Sequence, residues 1–176
     1  MSRFETLTLD VADFVATVTI DRAPVNAQNN RFREELTEVI DALGGVDRTA
    51  PFDAVVHLAG ENIASGRWTR ARRARIEGSR IQGTQLLAET LAGLARRPRV
   101  FVSVSAVGFY GDTGGEFVDE SAPPGRGFLA GVCRAWEAAA APARDAGIRV
   151  VHPRLGIVLS AAGGVLARLA PVFRAG

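Results

Sequence analysis

Residues 52–60, FDAVVHLAG, decide the fold. Ala54, Val55 and Val56 run without a polar interruption into His57 and Leu58, and the run ends on the small pair Ala59 and Gly60. A half-exposed strand alternates apolar with polar residues, whereas a short unbroken apolar run predicts a strand buried on both faces, as in a parallel sheet. The same style returns at residues 99–111, RVFVSVSAVGFYG, and at residues 148–160, IRVVHPRLGIVLS. Between the first two runs the sequence predicts a long Arg-rich helix from Thr69 to about Leu94. Between the second and third it predicts a Gly-, Pro- and Asp-rich loop, GDTGGEFVDESAPPGRG at 111–127, and then a helix from Phe128 to Ala146. Strands alternating with helices imply βαβ units and a parallel α/β sheet.

Outward from this core, towards the N-terminus, the style changes. ETLTLD at 5–10 and FVATVTID at 14–21 read as a β-hairpin around Val11, Ala12 and Asp13, with Phe14, Ala16, Val18 and Ile20 alternating onto one face. RAPVNAQNN at 22–30 is a loop. Asn30 is placed to cap a helix whose apolar stripe is Phe32, Leu36, Val39, Ile40 and Leu43. Glu34 and Glu35 suit its first turn, and Gly44 and Gly45 end it. A break near residues 46–52 separates the two styles. The expected organisation is a hairpin and helix over 1–48, followed by a partial Rossmann-like parallel sheet over 52–176. Beyond the third strand the sequence, ending PVFRAG, predicts no closing element.

Composition narrows the function classes. A chain of 176 residues suits one domain, and 47% hydrophobic with 23% charged residues describes a globular protein. All 21 basic residues are Arg, which explains a pI of 9.4 at a net charge of only +2. The basic pI therefore argues little for nucleic acid, and none is expected as a partner. The missing lysine excludes a Schiff-base amine, a Walker lysine and a Tyr-x-x-x-Lys dyad. Cys133 is the only cysteine, so no internal disulfide can form and a cytoplasmic location is expected. No apolar run approaches the roughly 18 residues of a membrane span, and no membrane association is expected. His57 and His152 stand alone, without carboxylates or cysteine at ligand spacing, so no metal site is expected. Arg67, Arg70, Arg72, Arg73 and Arg75 read as a solvated helix face, Trp68 and Trp136 as packing residues, and Glu61 and Glu120 as candidate cleft carboxylates.

DAVVHLAGENIASGRWT, RIEGSRIQGTQLL, FVSVSAVGFYGD, FLAGVCRAWE and RVVHPRLGIVLSAAGGVL follow one another in the order found in the NAD-dependent epimerase/dehydratase-like proteins. Residues 52–176 thus resemble that atypical extended short-chain dehydrogenase/reductase family, which includes sugar-nucleotide epimerases. The resemblance implies that Leu58, Ala59 and Gly60 end a strand beside the ribose and nicotinamide of NAD(P). It implies that Ser105 takes the place of the catalytic Ser or Thr, and that Pro153, Arg154 and Leu155 line the cofactor and substrate clefts. Such positions lie beyond the carboxyl ends of parallel strands, where open α/β sheets bind ligands.

The sequence departs from that pattern twice. Aligned on Glu137, the superfamily's Tyr-x-x-x-Lys positions are Leu129 and Cys133, and neither replaces a tyrosine acid or its ammonium partner. Tyr110, the only tyrosine, reads either as an acid at the strand end beside Ser105 or as an aromatic packing residue. The first fifty residues also lack the glycine-rich turn that brings backbone N–H groups to a pyrophosphate. Gly125, Gly127 and Gly131 form a glycine string, but ESAPP before it is no buried strand.

Residues 1–48 resemble the opening of the enoyl-CoA hydratase (crotonase) family, which implies CoA contacts near Asn26 and Ala27. Three functions are therefore expected to compete: an incomplete NAD(P)-dependent epimerase-like oxidoreductase using Ser105 and Tyr110 on a small-molecule substrate, a crotonase-type acyl-CoA binder, and a non-catalytic assembly module. The last would form a homo-oligomer or accept strands from a partner at an exposed sheet edge.

Overall fold

A computed structural model describes residues 7–12, 15–20, 34–35, 38–39, 52–64, 66–159 and 164–174. Of the expected turn, Val11 and Ala12 are instead the last residues of the first strand, opposite Ala16 and Val15. Asp13, the expected strand residue Phe14, the loop at 22–30 with Asn26 and Ala27, the Asn30 cap and the break at 46–51 lie outside the described residues.

The N-terminal hairpin is present. Strands β1 (Leu7–Ala12) and β2 (Val15–Ile20) pair antiparallel, with Leu7 opposite Ile20 and Ala12 opposite Val15. Leu7, Leu9 and Val18 pack with Val39, which is helical, and with Leu86 of the long helix. The hairpin pairs only with itself among the described strands and docks through side chains.

Strands β3 (Ala54–His57), β4 (Val100–Ser103) and β6 (Arg149–Val151) form a parallel sheet in the order β3-β4-β6. Helix α1 (Arg70–Ala92) connects the first two strands. The Thr69 hydroxyl accepts from the Arg72 N–H, satisfying one donor of the open first turn. Its residues Ile76, Ser79, Gly83, Leu86 and Leu91 are buried at helical spacing. The expected second strand is interrupted. After Val104 the chain forms β5 (Ser105–Ala106), a 3₁₀ turn at Val107–Tyr110, and the loop to Gly127. The third is likewise split into β6 and β7 (Arg154–Leu155), with β5 and β7 parallel to each other.

The helix expected over Phe128–Ala146 is two helices, α2 (Phe128–Ala138) and α3 (Ala141–Asp145). Pro142 stands in the first turn of α3, where its missing N–H costs nothing, but it could not continue α2. A further helix, α4 (Gly164–Arg174), occupies the stretch where no element was expected, and it contains Pro171.

The core gathers Ala88 and Leu91 of α1, Leu94, Phe101 of β4, Ala140, Ala143 of α3 and Ile148, with Val55 and Val150 against them. The strands were expected to be buried on both faces. Phe101 is fully buried, yet Val56 of β3 is 60% exposed, and so the face opposite the core is open among the described residues. No described helix is long and apolar enough to cross a membrane.

Candidate functional site

The ends of the parallel strands are stitched together where the sheet stops. The Val104 N–H bonds the His57 carbonyl at 3.2 Å, and the Ser105 N–H bonds the Pro153 carbonyl at 2.8 Å. Ser105 then lies opposite Arg154, and Ala106 opposite Leu155, in the β5–β7 pair. Ser105, Pro153, Arg154 and Leu155 thus converge, with Tyr110 joined to them through Arg154. Leu58, Ala59 and Gly60 leave the neighbouring strand end, with Leu58 69% exposed and Gly60 also exposed.

Ser105 is the buried polar centre of this convergence. Its Oγ makes no hydrogen bond of normal geometry, although it lies near enough to Cys133 and Glu137 to favour their ionised forms. Helix α2 supplies both neighbours. Leu129, Cys133 and Glu137 recur every four residues and so share one face. A Cβ on Gly108 would sit 3.6 Å from the Leu129 Cβ and 3.8 Å from the Cys133 Sγ, so this face lies against the 3₁₀ turn. Of the positions aligned with the dyad, Cys133 lies near Ser105 and Leu129 lies against the 3₁₀ turn, but they carry a thiol and an isobutyl group. Burial pushes the Cys133 thiol up, which keeps it protonated at neutral pH.

Glu137 is answered by Arg154. Its carboxylate accepts from Arg154 Nε at 2.9 Å and from Nη2 at 3.0 Å, a two-pronged pair. Burial alone would raise the Glu137 carboxyl, but the Arg154 hydrogen bonds, the Ser105 hydroxyl and the Arg154 charge outweigh it and hold the group below the usual carboxylate range. The remaining Arg154 edge donates to the Tyr110 hydroxyl at 2.9 Å, and the guanidinium lies 3.4 Å from the Phe109 ring centroid. Gly125 closes the loop against this turn. Its N–H bonds the Phe109 carbonyl at 2.9 Å, and a side chain there would collide with the Tyr110 carbonyl. The glycine string thus serves this turn and the start of α2, where Gly127 is the cap at φ 99°.

The segment after Gly60 is fastened to α1. Glu61, only 3% exposed, pairs with Arg72 at 2.8 Å, and its N–H bonds the Ser79 hydroxyl at 3.0 Å. Arg80 donates to the Glu61 carbonyl at 3.1 Å and lies 5.1 Å from the Trp136 ring centroid. Glu61 is thereby a structural anchor, while Glu120 is exposed in the loop. Of the arginine cluster, Arg72 turns inward, Arg73 covers the Phe128 ring, and Arg67, Arg70 and Arg75 are exposed. The Trp68 indole packs on Phe128, and the Trp136 indole donates to Thr84 Oγ1 at 2.8 Å. His57 is buried with Nε2 unpartnered, and burial lowers its pKa to about 4, so it is neutral at pH 7. His152 contacts the Ser103 carbonyl through Nδ1 at 2.9 Å and Arg144 through Nε2. An arginine can only donate, so Nε2 accepts and Nδ1 carries the proton.

Sequence reasoning missed Glu137 as a member of the site. The available signal was a carboxylate on the same helical face as Cys133 and one residue from Trp136, a position that demands a cation. It also missed the inward turn of Arg72, because five arginines in nine residues resemble a uniformly solvated face.

The model of the NAD dependent epimerase/dehydratase family matches residues 13–172. An epimerase family protein of Mycobacterium bovis is 40% identical over 173 residues, covering 97% of this chain and 54% of its own length. Among solved structures, a nucleoside-diphosphate sugar epimerase from Corynebacterium glutamicum is 42% identical with a TM-score of 0.62, over 77% of this chain and 27% of that one. Human epimerase family protein SDR39U1 (isoform 2), whose crystal structure contains NADPH, is 34% identical with a TM-score of 0.67, over 77% and 46% of the two chains. The chain spans about half the length of the curated relatives it matches. The family match begins inside the segment that resembles the crotonase opening, and the mycobacterial alignment covers nearly the whole chain. The comparisons therefore give no support to a separate crotonase segment.

Proposed function

Because the chain belongs to the NAD dependent epimerase/dehydratase family, we propose that it is an NAD(P)-dependent epimerase-like oxidoreductase whose substrate is a nucleotide sugar. The observation that carries this reading is the buried, unpartnered Ser105 hydroxyl at the carboxyl end of a parallel sheet, one residue pairing away from Arg154 and its Tyr110 contact. The hydroxyl makes no hydrogen bond of normal geometry, and an arriving oxygen would give it one.

The residues present fit the nicotinamide end of the cofactor. Leu58, Ala59 and Gly60 are accessible at their strand end, and Pro153 and Leu155 adjoin Ser105. These residues would hold the ring and its ribose, and the bound nicotinamide supplies hydride exchange. In the first fifty residues glycine occurs only at Gly44 and Gly45, so the pyrophosphate would need a cradle other than a glycine-rich turn there. Ser105 donates to the substrate oxygen and fixes its position. Tyr110 gives its proton to that oxygen as negative charge develops, and the phenolate regains a proton from water.

Direct titration of the purified chain with NADPH and NADH, by calorimetry or nicotinamide fluorescence, tests the reading. Micromolar affinity is expected, with Ser105→Ala and Tyr110→Phe binding normally but losing turnover. No binding at millimolar cofactor would refute the oxidoreductase.

A further inference from the structure

Tyr110 is the only tyrosine of the chain, and its hydroxyl is held from one side. Arg154 Nη1 donates to it at 2.9 Å. A guanidinium has five N–H donors and no acceptor, so the phenol oxygen accepts in this contact. The phenol hydrogen is therefore left for another acceptor, and no bond from it forms among the described residues. The guanidinium has little freedom to leave. Glu137 grips it at 2.9 and 3.0 Å, Phe109 lies under its plane at 3.4 Å, and its backbone is paired with Ser105. Glu137 stands on α2 one turn beyond Cys133, on the helix face where a tyrosine–lysine dyad would lie but where this chain has Leu129 and Cys133.

We propose that Arg154 is a positioning residue for Tyr110: held by Glu137, it orients the phenol so that its O–H is presented to a substrate oxygen at Ser105. The cation beside the phenol thus comes from a strand end in place of the next helical turn. This rests on the reading of Ser105 and Tyr110 as the reacting pair. In the step, the Tyr110 O–H bond breaks, its proton goes to the substrate oxygen, and the phenolate keeps the electron pair beside Arg154. Arg154 stays a donor throughout, since the Glu137 hydrogen bonds raise its pKa further against the cost of burial. The same contacts explain why Arg154, expected to line the cofactor cleft, has its guanidinium turned to Glu137 and Tyr110.

With a single tyrosine, labelling by ¹³Cζ-tyrosine gives one NMR resonance from the full chain, and it reports Tyr110 without any ligand. Arg154→Met is expected to move that resonance at neutral pH, Arg154→Lys to restore part of the shift, and Arg134→Met, at an exposed position, to leave it in place. Glu137→Gln, nearly isosteric, is expected to produce a smaller shift and serves if Arg154→Met does not fold. In NADPH-driven reduction of 9,10-phenanthrenequinone, Arg154→Met should lower kcat by about 100-fold, the usual size of a lost acid–base contribution, with KM within about twofold of the original. An unmoved resonance in folded Arg154→Met and Glu137→Gln would overturn the contact. A moved resonance with unchanged kcat would overturn the positioning role. A parent chain that neither binds NADPH nor reduces the quinone fails the oxidoreductase reading itself, and the proton-delivery role falls with it whatever the resonance does.

Discussion

The two faces of the β3-β4-β6 sheet are built from similar residues and meet different surroundings. On one, Val55, Phe101 and Val150 share the register of three strands and are packed by α1, α3 and Ile148, with Phe101 fully buried. On the other, Val56, Val102 and Val151 share the adjacent register, yet Val56 is 60% exposed and the other two are only half-buried. Strand sequence alone therefore does not state which face is covered; the placement of the helices does. The covered face also grades from apolar to polar along the strands. Phe101 is followed two residues on by Ser103, and then by Ser105, each buried, while His57 is the register partner of Ser103. The polar end of that face is where the candidate site begins.

The sharpest test of the contrast is Phe101→Ala. A fully buried phenylalanine truncated to alanine should cost about 3–5 kcal/mol, because the transfer term adds to an unfilled cavity. Urea unfolding followed by tryptophan fluorescence would measure it. A loss under about 1 kcal/mol would mean that the helices do not pack on this face.

His57 probes the polar end of the same face. Its folded pKa is lowered from 6.5 to about 4 because burial penalises the imidazolium. The unfolded chain therefore binds a proton near pH 6.5 while the folded chain resists until about pH 4. The His57 contribution is complete above pH 6.5 and is lost as pH falls through that window. The size expected is on the order of 3 kcal/mol, at 1.36 kcal/mol per pKa unit. Unfolding free energies measured between pH 7.5 and 4 should carry this slope, and His57→Gln should remove it. Parallel pH curves for the two chains would place His57 in water.

The legible part of the fold was what local physics fixes. Continuous apolar runs located the three strands of the β3-β4-β6 sheet, Thr69 marked the start of α1, and alternation at 15–20 marked the hairpin partner. The break between α2 and α3 escaped because alanines on either side favour helix, and only Pro142 signals the interruption. Ser105 and Tyr110 stand out in the sequence as candidates, but the contacts that join them through Arg154 do not. Arg154 looks like a strand-end cation until Glu137, 17 residues earlier, is seen to take two of its donors and Tyr110 a third. Such pairings depend on how α2 is set against β7, which periodicity does not report. The open face escaped for the complementary reason: Val56 and Leu58 have the composition of buried residues, and no property of a strand records the presence of a helix above it.

The smallest expected effect is on that open face. Val56→Thr keeps the β-branch and nearly the same volume, and the added hydroxyl at a position 60% exposed can be hydrated. The change should stay within about 0.5 kcal/mol of the parent, the range of ordinary surface substitutions. Burying the same hydroxyl without a partner would instead cost about 1–3 kcal/mol, so the two environments separate cleanly in one unfolding experiment. Repeating it across a hundredfold range of protein concentration extends the test. A small, concentration-independent change keeps the two faces distinct. A cost above 1 kcal/mol that grows with concentration would mean that a second copy covers Val56 in solution, and the contrast between the faces would then belong to the isolated chain alone.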